Sequence, residues 1–223
     1  MLLTVILSFM KLLPVVVVFL LLSCGTVEKY PNMVADADPV SAGTVKVGFD
    51  RIFSPKLNEI DAEAIFYPRL NAVALEFRYE FTQYRQFWDE AGRRQFAAAL
   101  ELYNAEQNRI DRYRKTRAVY GKVKGRAEWR SFKFSRTRIA YPTIELGYRF
   151  RDKTPFLATL MRPAQEVTDP GDSSHREDSQ QIIMYFTPAQ ADALVKLFDQ
   201  SYLLGLLGIV SPEADEPVPA IEE

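Results

Sequence analysis

The residues best suited to bind a ligand are basic side chains that recur at every second position after residue 120. Six of them are candidates for an anion-binding surface: Lys122, Lys124, Arg126, Arg130, Arg149 and Arg151. Residues two apart in an extended strand project from the same face, so the first four predict a basic row on one strand. The last two lie on the polar face of a second predicted strand. Such a surface would attract an anionic lipid headgroup, an anionic envelope polymer or an acidic protein.

The distribution of charge favours this interpretation. Residues 109–153 contain 15 Lys and Arg against four Asp and Glu, a net charge of +11, whereas the whole chain carries −1. The plainer alternative is a solvated sheet face whose cations pair with carboxylates and gain little stability from each pair. The candidate partners are Glu76, Glu80, Glu128, Glu145 and the acidic loop at 166–178. Nucleic acid is the poorer ligand, because the chain has a pI near 6.0.

Catalytic chemistry finds little support in the residue types. A single Cys cannot form an intramolecular disulfide, and one Cys with one His cannot build a Cys/His zinc site. His175 lies between acids in a polar segment that is typical of a surface loop. We therefore expect no enzymatic activity, no metal and no cofactor. A hydrolase with two paired carboxylates is the alternative, because its acids need not be close in sequence.

The N-terminus carries a targeting signal. Residues 12–22 form an uncharged apolar run that is too short to span a bilayer and is typical of a signal peptide. The run ends in Leu21-Leu22-Ser23-Cys24, which resembles the lipobox of bacterial lipoproteins. The resemblance covers residues 1–25 and implies that the Cys24 thiol receives a diacylglycerol, that residues 1–23 are removed and that the new N-terminus is acylated. The resemblance also implies an outer membrane over the inner membrane, because Gly25 stands where an Asp would signal retention at the inner membrane in that family.

Met10-Lys11 would supply the short basic segment that a signal peptide needs, so a start at Met10 is the more economical interpretation. Residues 24–43 are small, polar and without periodicity, which predicts a flexible tether. Residues 211–223 contain three Pro and five acids and predict a disordered acidic tail. A single domain is expected over 44–210. Two or more acyl chains would hold this domain at a membrane without a spanning helix.

The hydrophobic pattern of the domain predicts an α+β fold, mainly an antiparallel sheet of about six to seven strands with two amphipathic helices packed on it. Residues 72–81 have the strictest period of two, with their odd positions apolar and directed to the core. The inward residues would be Val73, Leu75, Phe77, Tyr79 and Phe81. A second clear strand covers 143–151. Weaker strands are expected at 44–49, 62–67, 121–134, 155–161 and 181–186.

Two helices are expected from spacings of three and four residues. The first would include Tyr84 and Trp88 and run to about residue 108. The second would start at Thr187, where Pro188 and Gln190 complete the pattern of an N-cap, a first-turn proline and a capping box. Its buried stripe would be Ala191, Leu194, Val195, Phe198, Tyr202 and Leu203.

Together these patterns predict a membrane-anchored lipoprotein of the cell envelope whose domain binds a ligand or has a structural role. Besides the hydrolase, a lipid-carrying module is an alternative, in which an aromatic-rich sheet face encloses a cavity. The aromatic residues of that face would be Phe77, Tyr79, Phe81, Tyr148 and Phe150.

Overall fold

A computed structural model describes residues 37–51, 54–110, 117–131, 136–167 and 177–209, all of which belong to the unit Val34–Glu223. Cys24, the predicted signal peptide, His175 and the predicted acidic tail lie outside the described residues, as does most of the predicted tether. No helix in the described ranges is long and apolar enough to cross a membrane.

In this part of the chain, ten strands form one sheet that curls into a half-barrel. The strands are β1 Val40–Arg51, β2 Ser54–Tyr67, β3 Ala72–Tyr79, β4 Thr82–Asp89, β5 Arg117–Lys124, β6 Arg126–Ser131, β7 Arg138–Ala140, β8 Thr143–Arg151, β9 Thr154–Met161 and β10 Ile182–Phe186. Their order is β5-β8-β9-β10-β1-β2-β3-β4-β6-β7, and every neighbouring pair is antiparallel. A short 3-10 helix, Pro68–Leu70, joins β2 to β3.

Three α-helices pack inside the curl: α1 Glu90–Ile110, α2 Pro188–Phe198 and α3 Gln200–Gly205. Helix α1 contacts β4 near one end of the strand order and β5, β8 and β9 at the other, as expected for a helix that a curled sheet surrounds. Phe96 of α1 lies at the centre of the core, where its ring centroid is 5.6 Å from that of Phe186 and 5.7 Å from that of Phe198. The apolar faces of sheet and helices thus form one continuous core.

The predicted start of the second helix is confirmed. The Thr187 hydroxyl accepts a hydrogen bond from the Gln190 amide, and the Gln190 side chain accepts one from the Thr187 amide. The helix ends at Asp199, however, whose carboxylate caps α3 by accepting a hydrogen bond from the Tyr202 amide. This break turns Tyr202, predicted to be buried, partly outward, so that 42% of it is exposed.

The prediction of six to seven strands and two helices is wrong. Tyr84 and Trp88 lie in β4, not in a helix, because a spacing of four residues fits a strand face as well as a helix face. Helix α1 begins only at Glu90, after Asp89 accepts a hydrogen bond from the Gly92 amide as its N-cap. The three-residue strand β7 was not predicted, and β5 and β6 were predicted as one strand.

Two further boundaries differ from the prediction. Strand β1 begins at Val40, inside the segment predicted as tether. Strand β3 ends at Tyr79, and Phe81, predicted to be buried, is 76% exposed in the turn to β4. Glu80 of this turn has a left-handed φ of 54°, which short hairpin turns often require.

Candidate anion-binding site

The segment that carries the predicted basic row is bent at Gly125. Strands β5 and β6 flank this one residue, yet they occupy the first and ninth positions in the strand order. The Gly125 amide donates a 3.0 Å hydrogen bond to the carbonyl oxygen of Pro142, so β5–β6 and β7–β8 form one long antiparallel ribbon with a shared bend. The ribbon thereby joins the two ends of the curled sheet.

The predicted outward direction of the basic row is confirmed for three of its four residues. Ala127 and Trp129, at odd positions, are buried in the core, whereas Lys122, Lys124 and Arg130 are exposed. The bend nevertheless divides the predicted row between two strands, β5 and β6, that pair with opposite ends of the sheet. The six candidate cations therefore do not form one surface.

Four of the predicted cations contact an acidic or amide side chain. Lys122 Nζ lies 3.1 Å from Glu145 Oε1, and Arg151 Nε lies 3.2 Å from Asp50 Oδ1. The other two lie on β6, where Arg126 pairs with Glu128 and Arg130 donates a 3.2 Å hydrogen bond to the Gln83 side chain. The Arg126 guanidinium also lies 5.1 Å from the centroid of the Phe87 ring. Lys124, which is exposed, stands opposite Thr143 in the β5–β8 register.

Arg149 differs, because it lines a cleft of about 240 Å³ on the outer face of β5, β8 and β9. We call this cavity the arginine cleft. Its cationic walls are Arg117, Arg149 and Arg162, and small residues Gly147 and Ala158 lie between them. Sequence reasoning did not select Arg117 or Arg162 as site residues, although Arg117 lies in the basic segment 109–153. Both meet Arg149 only through strand pairing.

Arg117 and Arg149 stand directly opposite each other in the β5–β8 register. Neither side chain has an ion pair or hydrogen bond with any residue in the described part of the chain. Like charges directly opposite on neighbouring strands repel and lower stability. This pair is therefore an electrostatic cost that a bound anion would remove.

The carboxylate of Glu145 occupies the other side of the arginine cleft. It accepts a 3.0 Å hydrogen bond from Arg162 Nη2 in addition to the contact with Lys122. Burial raises the pKa of this carboxyl, but hydrogen bonds from Lys122 and Arg162 outweigh that effect and hold the pKa below its usual range. The three arginines of the cleft, together with Lys122 beside it, thus accompany one ionised carboxylate, a net charge of +3.

The floor of the cleft depends on a glycine. A Cβ atom on Gly147 would lie 1.9 Å from the carbonyl oxygen of Ala118, so only glycine allows β5 to approach here. The β5–β8 register shifts between Val119 and Gly121 at the same place, which is typical of a β-bulge. Val119 is 50% exposed and supplies an apolar edge to the cleft.

A second cluster of charges lies beside β7. Glu166, only 3% exposed, accepts a 3.2 Å hydrogen bond from Arg136 Nη2, and Arg138 pairs with Glu177. The Val167 amide donates a 2.8 Å hydrogen bond to the carbonyl oxygen of Ile139, so the segment after β9 covers the edge of β7. Because both carboxylates are paired with arginines at a sheet edge, we assign them a role in covering that edge.

The aromatic residues of the predicted carrier face pack mainly on other rings. The Phe77 ring centroid is 5.8 Å from that of Tyr84, and Tyr79 lies 5.3 Å from Phe49. Tyr148 contacts Phe150 at 6.1 Å. Within the described ranges, no group of three or more His, Cys, Asp or Glu residues could hold a metal ion.

A family model described as "Uncharacterised Treponema protein" matches residues 40–204. The match begins at the first residue of β1 and ends within α3, so it spans all ten strands. No curated protein and no solved structure matches the chain.

Proposed function

The chain belongs to this family of uncharacterised Treponema proteins, and we propose that it is a lipid-anchored binding protein of the cell envelope that holds an anionic ligand in the arginine cleft. The observation that carries the proposal is the unpaired cross-strand position of Arg117 and Arg149. A fold that only needed a solvated face would gain stability from a carboxylate at either position. The repulsion is retained beside a concave surface, where a ligand can reach both guanidinium groups.

A binding role without catalysis agrees with the composition of the cleft. Its one carboxylate, Glu145, is held by two cations and is not available as a general base. The carboxylates of Glu166 and Glu177, which lie together beside β7, are both bound to arginines, so this pair does not support the alternative of a paired-carboxylate hydrolase.

The proposed anchor is the lipid on Cys24, which rests on the resemblance of residues 21–24 to a lipobox. An anchored domain would stay close to anionic groups of the envelope, and proximity raises their effective concentration. Each basic side chain near an anionic membrane surface adds about 1 kcal/mol of attraction. Anchoring and the arginine cleft would therefore act together.

Lipid labelling in a bacterial host tests the anchor. We expect the wild-type chain to be acylated and to partition into detergent, and Cys24→Ser to lose the label while the domain still folds. Recovery of the wild-type chain from the aqueous phase with residues 12–22 intact would contradict the anchor.

Calorimetric titration tests the cleft. The full chain in neutral detergent micelles should bind small anions such as inorganic phosphate and acetate at low salt. Arg149→Glu should weaken that binding at least about tenfold, because a charge-assisted hydrogen bond is replaced by repulsion. Lys196→Glu is the matched control, since Lys196 lies exposed on α2, on the other face of the sheet. Equal losses in both variants, or no binding of any anion, would refute the proposed function.

A further inference from the structure

We propose that the arginine cleft selects the dianionic form of a phosphate monoester over carboxylates and phosphodiesters. This inference rests on the proposed function and specifies the ligand class for the same site. It follows from the number of charges left uncompensated in the cleft and from the shape of its floor.

The charge of the cleft separates into two parts. On one side Glu145 offsets one of the two positive charges of Lys122 and Arg162. On the other side Arg117 and Arg149 are two opposed cations with no acidic partner among the described residues. A carboxylate or a phosphodiester supplies one negative charge and would neutralise only half of this pair. A phosphate monoester carries about 1.5 to 2 negative charges at pH 7 and can balance both guanidinium groups.

The geometry suits a tetrahedral oxyanion with a small organic substituent. Guanidinium groups bind phosphate through paired N–H donors. Two such groups, those of Arg117 and Arg149, line the cleft from the neighbouring strands β5 and β8. Gly147 and Ala158 add no long side chain between the walls, so the anion can approach the sheet. Val119, half exposed at the edge, offers an apolar contact for the ester carbon atoms.

Selection of a dianion would give binding a specific pH dependence. The second pKa of a phosphate monoester is about 6, so its affinity should rise between pH 5 and pH 7. The charged and titratable groups that line the cleft are Arg117, Glu145, Tyr148, Arg149 and Arg162, and Lys122 contacts Glu145 from outside this lining. Tyr185 of β10 lies close enough to Arg149 to feel its charge, and burial raises the pKa of this phenol to about 12, so it stays neutral over this range. Arginine and lysine stay protonated over this range. Glu145 stays ionised because its pKa is lowered, and burial raises the pKa of Tyr148, so this phenol stays neutral.

The test compares three anions: methyl phosphate, which is a monoester, dimethyl phosphate, which is a diester, and acetate, which is a carboxylate. The full chain in neutral detergent micelles is titrated with each probe by calorimetry at pH 7.5 and at pH 5.0. We expect methyl phosphate to bind at least about tenfold more tightly than the other two at pH 7.5. This preference should shrink at pH 5.0, where the monoester is a monoanion. Equal affinities at pH 7.5 would overturn the inference, whereas failure of all three probes to bind would overturn the proposed function.

Variants assign the preference to the opposed pair. Arg149→Gln and Arg117→Gln should each bring methyl phosphate to the affinity of acetate, and Lys196→Gln should leave the preference unchanged. Because either cleft substitution removes a repulsion, the thermal midpoint of the free protein should stay the same or rise. Persistence of the preference in both cleft variants would overturn the inference.

A phosphate monoester could come from a lipid headgroup or from a soluble ester, and bilayer discs distinguish these two sources. The full chain is inserted into discs of phosphatidylcholine that contain either phosphatidic acid, a monoester, or phosphatidylglycerol, a diester. If the ligand is a lipid headgroup, discs with phosphatidic acid will block methyl phosphate binding and discs with phosphatidylglycerol will not. If the ligand is a soluble ester, methyl phosphate will bind equally well in both discs. Blocking by phosphatidylglycerol alone would overturn the inference.

Discussion

The buried guanidinium of Arg93 donates a 2.7 Å hydrogen bond to the main-chain oxygen of Asn71, which ties α1 to the turn before β3. The same side chain donates a 3.1 Å hydrogen bond to the main-chain oxygen of Phe198 at the end of α2. One arginine thus satisfies carbonyl groups from two segments that are far apart in sequence.

Removal of these hydrogen bonds should destabilise the domain. Arg93→Met leaves buried carbonyl oxygens without donors and should lower the free energy of unfolding by about 2–4 kcal/mol, measured by urea denaturation. Arg94→Met is the matched control, because the Arg94 side chain is 73% exposed and its ion-pair partner among the described residues is Glu90 of the same helix. It should cost less than about 0.5 kcal/mol. Similar midpoints for the two variants would contradict the role of Arg93.

The close approach at the floor of the arginine cleft predicts that Gly147 tolerates no side chain. Gly147→Ala would force the main chain of β5 away and should lower the free energy of unfolding by about 2 kcal/mol or more. The same substitution at Gly205, which has no heavy atom within 4 Å of a new Cβ, should be neutral or stabilising in its helix. Thermal denaturation measures both, and a stable Gly147→Ala variant would show that β5 lies elsewhere.

The exposure of Phe81 is testable with a matched pair. Phe77→Ala removes a ring that is 4% exposed and should lower the free energy of unfolding by about 3–5 kcal/mol. Phe81→Ala removes a ring that is 76% exposed and should cost less than about 0.5 kcal/mol. Equal urea midpoints would support the sequence-based register, in which both rings are buried.

The raised pKa of Tyr185 predicts a loss of stability at alkaline pH. Burial and the neighbouring Asp50 raise the pKa of Tyr185 from 10.0 to about 12, so the folded state retains the phenolic proton longer than the unfolded state does. The contribution of Tyr185 to stability is therefore fully present below pH 10 and is lost as pH rises from 10 towards 12.

Tyr185→Phe should make that decline shallower, and at pH 8 it should cost about 1 kcal/mol through loss of the 3.0 Å hydrogen bond to Asp50. Urea midpoints between pH 8 and pH 11 provide the measurement. Tyr141→Phe is the control, because Tyr141 is 56% exposed, and it should leave the slope unchanged. An unchanged slope in Tyr185→Phe would exclude this residue as the cause.

The amino-acid sequence predicted the elements whose signals are local. The period of two located β3 to within two residues and β8 without error, and the pattern at Thr187 located the start of α2. The spacing of two between the basic residues correctly placed Lys122, Lys124 and Arg130 on the solvent side of their strands. These predictions succeed because the direction of a side chain is set by its own strand or helix.

The arginine cleft and the strand order were decided by tertiary structure. Of the cleft arginines, the sequence selected only Arg149, because Arg117 and Arg162 reach it through the β5–β8 register and the end of β9. The basic row was divided at Gly125 because two neighbouring segments of the chain pair with opposite ends of the sheet. Tyr84 and Trp88 lie in a strand, β4, because β3 and β6 pair with β4 on its two sides. Local periodicity fixes which way a side chain points, but only pairing between distant segments fixes which charges meet.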